Sequence, residues 1–310
     1  MMRSLYSAIS GLKNHQVKMD VIGNNIANVN TPGFKRSRVT FGTMLSQTLK
    51  GASSPNPADP TLPPVQGGTN AVQVGLGSML GSIDQIMTQG STQSTGKDTD
   101  LMLQGSGFFV LQNGGQRVFT RAGGFGLDSN GNMIDPSTGA LLQGYVFTDD
   151  TTPPPTTSWD PATDTQFKTI QFQLGDQPFL HQQAGAGQMA LTSFSIDQSG
   201  VITGVYSDGV KSETHRIAQI AVAKFPNDAG LQNVGGNFLT ETNNSGTADI
   251  NSPGSTGRAT IVPGALEMSN VDLSQEFTDM IVTQRGFQAN SRVITVSDTL
   301  LEELINLKRQ

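Results

Sequence analysis

Apolar side chains recur at heptad spacing at both ends of this 310-residue chain. Near the N-terminus they follow steps of three and four residues, at Leu5, Ile9, Leu12, Met19 and Ile26, with Gln16 and Gly23 filling the same series. Near the C-terminus one seam position holds Leu273, Met280, Phe287, Ile294 and Leu301, and the other holds Phe277, Gln284, Ser291, Asp298 and Ile305. This spacing predicts two long amphipathic helices, each with a narrow seam that needs a partner.

Local signals mark where these helices begin and end. Asp272 followed by Gln275 resembles a capping box at a helix start, and Thr31-Pro32-Gly33 would stop the first helix. The helices would span roughly 28 and 36 residues, and helices of this kind gain most of their stability from packing. Ordinary core packing inside one molecule is one explanation of the seams, and pairing with copies of the chain is the other.

The residues between the helices predict a β-rich body. Gly accounts for 36 of the 310 residues, and only 14% of the residues are charged, which favours a turn-rich body over a helical one. Short β-branched and aromatic runs alternate with turn signals, and Pro-rich stretches interrupt them. We therefore predict an α+β protein with four parts: a terminal helical coiled-coil domain (1–50 and 264–310), an extended Pro/Gly-rich arm (51–74), a β domain (75–145 and 190–263), and a small inserted unit (146–189).

Charge and composition exclude several functions. The net charge is −6, which disfavours non-specific nucleic-acid binding, although residues 1–50 alone carry +6. No apolar run reaches the length of a membrane helix, and the N-terminus lacks the apolar core of a cleaved secretory signal. We expect no nucleic-acid partner, no direct membrane insertion, and no disulfide or thiolate site, because the chain has no Cys.

No catalytic or metal-binding motif stands out. The three histidines, His15, His181 and His215, lack metal-ligand spacing. Residues 128–139 superficially resemble a calcium loop, but Met133 stands where an EF-hand requires Gly. We therefore expect no enzyme activity, cofactor or bound metal.

Two long motifs resemble the signatures of the bacterial flagellar rod and hook family. The first runs from Asn24 to Lys35 (NNIANVNTPGFK), and the second covers Gly264–Ser274, Gln284–Arg292 and Glu303–Arg309. The signature positions are Asn24, Asn25, Asn28, Thr31, Gly33, Phe34, Ser269, Asn270, Gln284, Arg285, Asn290 and Ser291. Shorter segments of the body, such as Gly105–Phe109, are also similar to the family.

The resemblance implies a structural subunit that polymerises through its terminal helices. The likeness is greatest to hook subunits, which form a curved helical tube that transmits torque from rod to filament; a distal rod subunit is the alternative. It further implies export by the flagellar type III apparatus to an extracellular position, and contacts with the distal rod, the hook cap and hook-filament junction proteins. A monomeric extracellular β-rich adhesin is the alternative from another class.

Overall fold

A computed structural model describes residues 2–54, 67–147, 167–172, 190–207, 211–255 and 257–308. Most of the predicted arm (51–74) and of the predicted insertion (146–189) therefore lies outside the described residues. The chain forms two compact units. Unit 1 comprises Met1–Ala27, Ser37–Gln85 and Asp272–Gln310, and unit 2 comprises Asn28–Arg36 and Ile86–Val271.

The two predicted terminal helices are confirmed, and both belong to unit 1. Helix α1 spans Met2–Ala27 and helix α2 spans Leu273–Lys308. Asp272 caps α2, because its Oδ1 accepts hydrogen bonds from the amides of Ser274 (2.9 Å) and Gln275 (3.3 Å). Within the described part of the chain, neither helix is long and apolar enough to cross a membrane.

Unit 1 also contains four strands that pair as two antiparallel ribbons. They are β1 (Ser37–Thr43), β2 (Ser46–Lys50), β3 (Val72–Gly75) and β4 (Ser78–Gln85). Strand β1 pairs with β4, and β2 pairs with β3. Residues 37–50 are thus extended and lie in the same compact unit as the helices. Towards the C-terminus, unit 2 ends at Val271 and unit 1 resumes at Asp272. The domain boundary that the sequence indicates at residue 264 stays a prediction.

Unit 2 is the β-rich body, as the α+β fold class requires. Its described strands are β5 (Thr92–Ser94), β6 (Leu101–Gln104), β7 (Phe108–Asn113), β8 (Gln116–Thr120), β9 (Gly126–Leu127), β10 (Met133–Ile134), β11 (Leu141–Val146), β12 (Phe167–Thr169), β13 (Ala190–Ile196), β14 (Val201–Ser207), β15 (Ser212–Ile220), β16 (Val222–Lys224), β17 (Gln232–Gly235), β18 (Phe238–Thr240), β19 (Asp249–Asn251), β20 (Thr260–Pro263) and β21 (Ala265–Glu267). The main sheet runs in the order β13-β14-β15-β11-β7-β8-β18-β17.

The core of unit 2 is built from alternating strand residues and edge-to-face aromatic pairs. Phe109 packs against Phe125 with ring centroids 5.2 Å apart, and Phe119 packs against Phe225 at 4.8 Å. All four rings are almost fully buried. Such pairs add stabilisation beyond the apolar area that they bury.

Two short hairpins share the sequence frame F-x-[LI]-D-x-x-G and the same turn. Asp128 Oδ1 accepts from the amides of Asn130 and Asn132, and Asp197 Oδ1 accepts from the amides of Ser199 and Val201. The glycine of each frame has a positive φ, 76° at residue 131 and 74° at residue 200. The repeat therefore encodes a turn that a carboxylate holds closed.

Candidate assembly surface and signature segments

Helices α1 and α2 pair antiparallel through polar and small residues. Along α1 the residue number rises while its partner on α2 falls, in the pairs Gly11–Asn290, His15–Gly286, Lys18–Asp279 and Asn25–Glu276. Two apolar residues of α1, Ala8 and Ile22, are buried as well, each 4% exposed. Several of the contacts that join the two helices inside one molecule are thus polar, including an ion pair and a buried hydrogen bond.

Two glycines allow the helix backbones to approach closely. A Cβ on Gly286 would lie 2.6 Å from Cε1 of His15, and one on Gly11 would lie 2.5 Å from Nδ2 of Asn290. Burial, together with the charge of Lys18, lowers the pKa of His15, so the ring favours its neutral form. The close approach sets which residues of the two helices face each other.

Asn25 connects three elements of unit 1. Its Nδ2 donates to the Ser37 carbonyl at the start of β1 (2.9 Å) and to Glu276 Oε2 on α2 (3.2 Å). Its Oδ1 accepts from the Ser37 amide at 3.0 Å. Asn25 is 1% exposed and Glu276 is 4% exposed, so these bonds are shielded from water. This signature residue therefore fixes the end of α1 against β1 and α2.

The predicted seam residues lie beside this contact face and remain accessible to different degrees. Half-buried are Leu5, Leu12, Met19, Ile26, Met280, Phe287, Ile294 and Leu301. Exposed are Ile9, Leu273, Phe277 and Ile305. Their role in assembly stays a prediction, because the structure contains one chain.

Helix α2 also carries an apolar face that the sequence reasoning missed. Exposed residues recur there at heptad spacing, and we call them the exposed seam: Val282, Ala289, Val293, Val296, Leu300 and Leu307. Val282 is 60% exposed and Leu307 is 70% exposed. The spacing of seven, four and three residues places them on one face of the helix. The heptad spacing of these residues is visible in the sequence, but two other heptad series on the same helix are visible there too.

The ribbon of β2 and β3 exposes apolar side chains as well. All of its residues are exposed, including Leu49 at 58% and Val72 at 50%, and Leu45 just before β2 is 86% exposed. A two-stranded ribbon with open edges and apolar side chains is typical of a surface that another chain covers.

The two ends of the signature meet in unit 2. The Gly33 amide donates to the Glu267 carbonyl at 2.8 Å, and Phe34 beside it is buried. Gly33 has φ 71°, and a Cβ there would lie 2.5 Å from the Ala122 amide nitrogen. Only glycine therefore suits this position of the signature.

Asn270 joins the same segments. Its Oδ1 accepts from the Arg36 amide (2.8 Å), and its Nδ2 donates to the carbonyls of Ile86 (2.8 Å) and Thr88 (3.2 Å). Ser269 Oγ accepts from the Val271 amide. Asn270 thus ties distant chain segments together, whereas the bond to Ser269 is local.

The remaining signature residues have local positions. Thr31 Oγ1 donates to Asn28 Oδ1 (3.1 Å) in the turn after α1. On α2, Gln284 and Arg285 are exposed and Ser291 is half-buried, while Asn24 is exposed on α1.

Three buried charged residues were not among the predicted site residues. Lys35 Nζ lies 2.6 Å from Glu267 Oε1, and Arg121 Nη1 lies 3.3 Å from Glu267 Oε2. Lys35 and Glu267 stand inside the quoted motifs, but a single sequence does not show that charged residues at its two ends are buried together. Among the described residues no group of three or more His, Cys, Asp or Glu side chains is placed to hold a metal ion.

Comparison with known proteins identifies the family. Residues 5–35 match the family described as flagella basal body rod protein, and residues 102–204 match the flagellar hook protein FlgE/F/G D1 domain. Residues 262–307 match the flagellar basal body rod FlgEFG protein C-terminal family.

Similar proteins include rod and hook proteins over their full lengths. The chain is 45% identical over 310 residues to the flagellar basal-body rod protein FlgG of Bacillus subtilis (strain 168), with all of both chains covered. It is 32% identical over 473 residues to the flagellar hook protein FlgE of Treponema pallidum (strain Nichols), and 33% identical over 311 residues to FlgG of Borreliella burgdorferi, again over the whole of each chain. The chain therefore belongs to the flagellar rod and hook protein family, whose members are structural components of the flagellum.

Proposed function

We propose that this chain is a non-enzymatic structural subunit of the flagellar axis that polymerises through the apolar faces of its terminal helices. The exposed seam of α2 carries the proposal, because its apolar residues lie on a helix whose contact inside the molecule is polar. A soluble helix normally shows the reverse arrangement. Exposed apolar patches of this kind mark interaction surfaces.

The occupant that we propose for the seam is a second copy of the chain. Burying one fully exposed Val or Leu side chain stabilises an interface by about 1.5–3 kcal/mol, and several such residues lie in a row. A contact between different faces of identical subunits generates a helical array when the rotation that relates the subunits does not close into a ring. The half-buried predicted residues, such as Met280 and Ile294, would complete this interface.

Within the family we propose a distal rod subunit, with a hook subunit as the second candidate. Chain length supports the rod assignment, since alignments with FlgG relatives run over 310 and 311 residues. Alignments with FlgE relatives run over 473 and 451 residues, so those hook proteins contain segments that this chain lacks. Full-length matches to two hook proteins support the second candidate.

The remaining partners and the location follow from the same proposal. A rod or hook subunit would contact the neighbouring rod, hook-cap or hook-filament junction proteins. It would be exported by the flagellar type III apparatus, and a hook subunit would then lie outside the cell.

A charge in the exposed seam tests the assembly surface. We expect Val296→Glu to leave a folded monomer, with helical circular dichroism like the wild type, that does not form polymers in negative-stain micrographs. Gln288→Glu adds the same charge to another exposed face of α2 and serves as the matched control, which should polymerise. Polymerisation of Val296→Glu at the wild-type concentration would refute the proposed surface.

The same preparation separates the candidates. Straight wild-type polymers would support the rod subunit, and curved ones would support the hook subunit. A monomeric adhesin would instead scatter light as a monomer at every concentration, with the exposed seam unused.

A further inference from the structure

Three charged side chains buried in unit 2 come from distant parts of the chain. Lys35 and Arg121 both contact Glu267, which follows them by 232 and 146 residues. The side chains of Lys35 and Arg121 are each 4% exposed, and that of Glu267 is 0% exposed. We propose that these residues form a charge lock. Unit 2 completes its packed structure, which we call closing, only when the carboxylate of Glu267 packs between the two cations.

The charge balance makes Glu267 the decisive member. Two buried cations share one carboxylate, so without it two like charges would face each other away from water. Burial lowers the pKa of Lys35, and the charge of Arg121 acts in the same direction, while Glu267 opposes both. Asp228 also feels the charge of Arg121, but burial raises the pKa of its carboxyl, whereas Glu267 lies within ion-pair distance of both Lys35 and Arg121.

Further hydrogen bonds connect the lock to the backbone around it. Lys35 Nζ donates to the Thr88 carbonyl (2.8 Å), and the Gly90 amide donates to Glu267 Oε1 (2.9 Å). Arg121 Nη2 donates to the Gly105 carbonyl at 2.7 Å. The charged groups are thus held in place by backbone groups of two separate stretches of unit 2, one at residues 88–90 and one at residue 105.

The lock lies on the segments through which the chain enters and leaves unit 2. Unit 2 begins with Asn28–Arg36, resumes at Ile86 and ends at Val271. Lys35, Thr88 and Glu267 belong to these three segments, and Asn270 joins them by its bonds to Arg36 and Ile86. The contacts of the charge lock therefore hold together the segments at which the chain enters and leaves unit 2.

Close backbone contacts leave this arrangement little freedom. A Cβ on Gly90 would overlap the Met268 carbonyl oxygen, and one on Gly33 would lie 2.5 Å from the Ala122 nitrogen. The segment that carries Glu267 must consequently dock in one register for its carboxylate to reach both cations.

The lock controls when unit 2 closes, in addition to stabilising it. Well-packed apolar residues often stabilise a core as well as a buried ion pair does, whereas an unmatched buried charge strongly opposes packing. The ribosome synthesises Lys35 and Arg121 before Glu267. Unit 2 therefore cannot close until Glu267 has been synthesised. This inference rests on unit 2 alone and does not depend on the assembly proposed above.

Hydrogen exchange of the full-length chain tests the lock. We expect Glu267→Gln to speed amide exchange at Gly33, Gly90 and β6 by at least about 100-fold, because it leaves two buried cations unmatched. Lys35→Met leaves the balanced Arg121–Glu267 pair and should speed exchange by less than about 10-fold. Wild-type protection in Glu267→Gln, or equal effects of the two changes, would overturn the proposal.

A combined variant covers the case in which Glu267→Gln fails to fold. Adding Lys35→Met and Arg121→Met to Glu267→Gln removes both cations, and protection should return to within about 10-fold of the wild type. If the amides of the triple variant exchange as fast as those of Glu267→Gln, charge matching is not what closes unit 2.

Discussion

Replacing Asn25 by Asp tests how the terminal helices are held in register. Asn25→Asp keeps the shape of the side chain and the acceptor for the Ser37 amide. It removes the donor to the Ser37 carbonyl and places an anionic oxygen about where Nδ2 now lies, 3.2 Å from Glu276 Oε2. Both residues are almost fully buried, so the two carboxylates would meet with little water between them.

The expected loss of stability follows from these distances. Two unit charges about 3.2 Å apart repel by about 5 kcal/mol at an effective dielectric constant of about 20. The pair limits this repulsion by keeping one proton, which costs about 4 kcal/mol at pH 7 for an ordinary carboxyl pKa near 4.3. With the lost hydrogen bonds, we expect the free energy of unfolding to fall by about 4–6 kcal/mol at pH 7.

The pH dependence gives the sign of the effect. The pKa of the new carboxyl pair is raised in the folded state, so the folded state binds more protons than the unfolded state. The deficit of Asn25→Asp should therefore shrink as pH falls from 7 towards 4. Asn25→Ala loses the same donor without adding a charge, and its deficit of about 2–3 kcal/mol should hardly change with pH.

Urea unfolding followed by circular dichroism at 222 nm, at several pH values, measures these differences. Comparing each variant with the wild type at the same pH removes the pH dependence of the other groups. A deficit of Asn25→Asp that stays constant with pH, or that equals the deficit of Asn25→Ala, would show that the two side chains do not meet as described.

Two further predictions concern the glycines of the helices and the carboxylate turns. Gly23→Ala should raise the free energy of unfolding by about 0.5–1 kcal/mol, because its Cβ would meet no atom within 4 Å. Gly286→Ala should instead lower it, since His15 must move, and equal thermal shifts of the two variants would contradict the close approach. Hydrogen bonding from Asn132 lowers the pKa of Asp128, so its stabilisation is present above about pH 4 and lost as pH falls through the lowered pKa. Asp128→Asn should therefore flatten the acid side of the stability curve, and an unchanged acid side would count against the turn.

The fold class and the two helices could be predicted because their signals are local. Heptad spacing, the cap at Asp272 and the Pro32-Gly33 stop act over a few residues, so each can be recognised without knowing what packs on it. The two hairpin frames are local signals of the same kind, since a carboxylate and a glycine a few residues apart define the turn.

The pairing face of the helices could not be predicted from periodicity. Apolar spacing indicates which residues prefer burial, but α1 and α2 meet where glycine lets the backbones approach, at Gly11 and Gly286. The observed face lies one residue away from one of the predicted seams, so that Glu276 and Thr283 are buried and Phe277 is exposed. A shift of one residue rotates the face by about 100°, which the spacing of seven does not reveal.

The inverted polarity of α2 links the single chain to its proposed assembly. Its contact with α1 uses Asn290, Gly286 and Glu276, while the apolar seam faces outward. A polar contact contributes only modest net stability, because each hydrogen bond replaces one to water. Further apolar burial on this face of α2 is therefore available when another subunit covers it. From this we infer that the isolated chain already holds its helices in register, through contacts such as the Asn25–Glu276 hydrogen bond, and that neighbouring copies add further stability when they cover the seam.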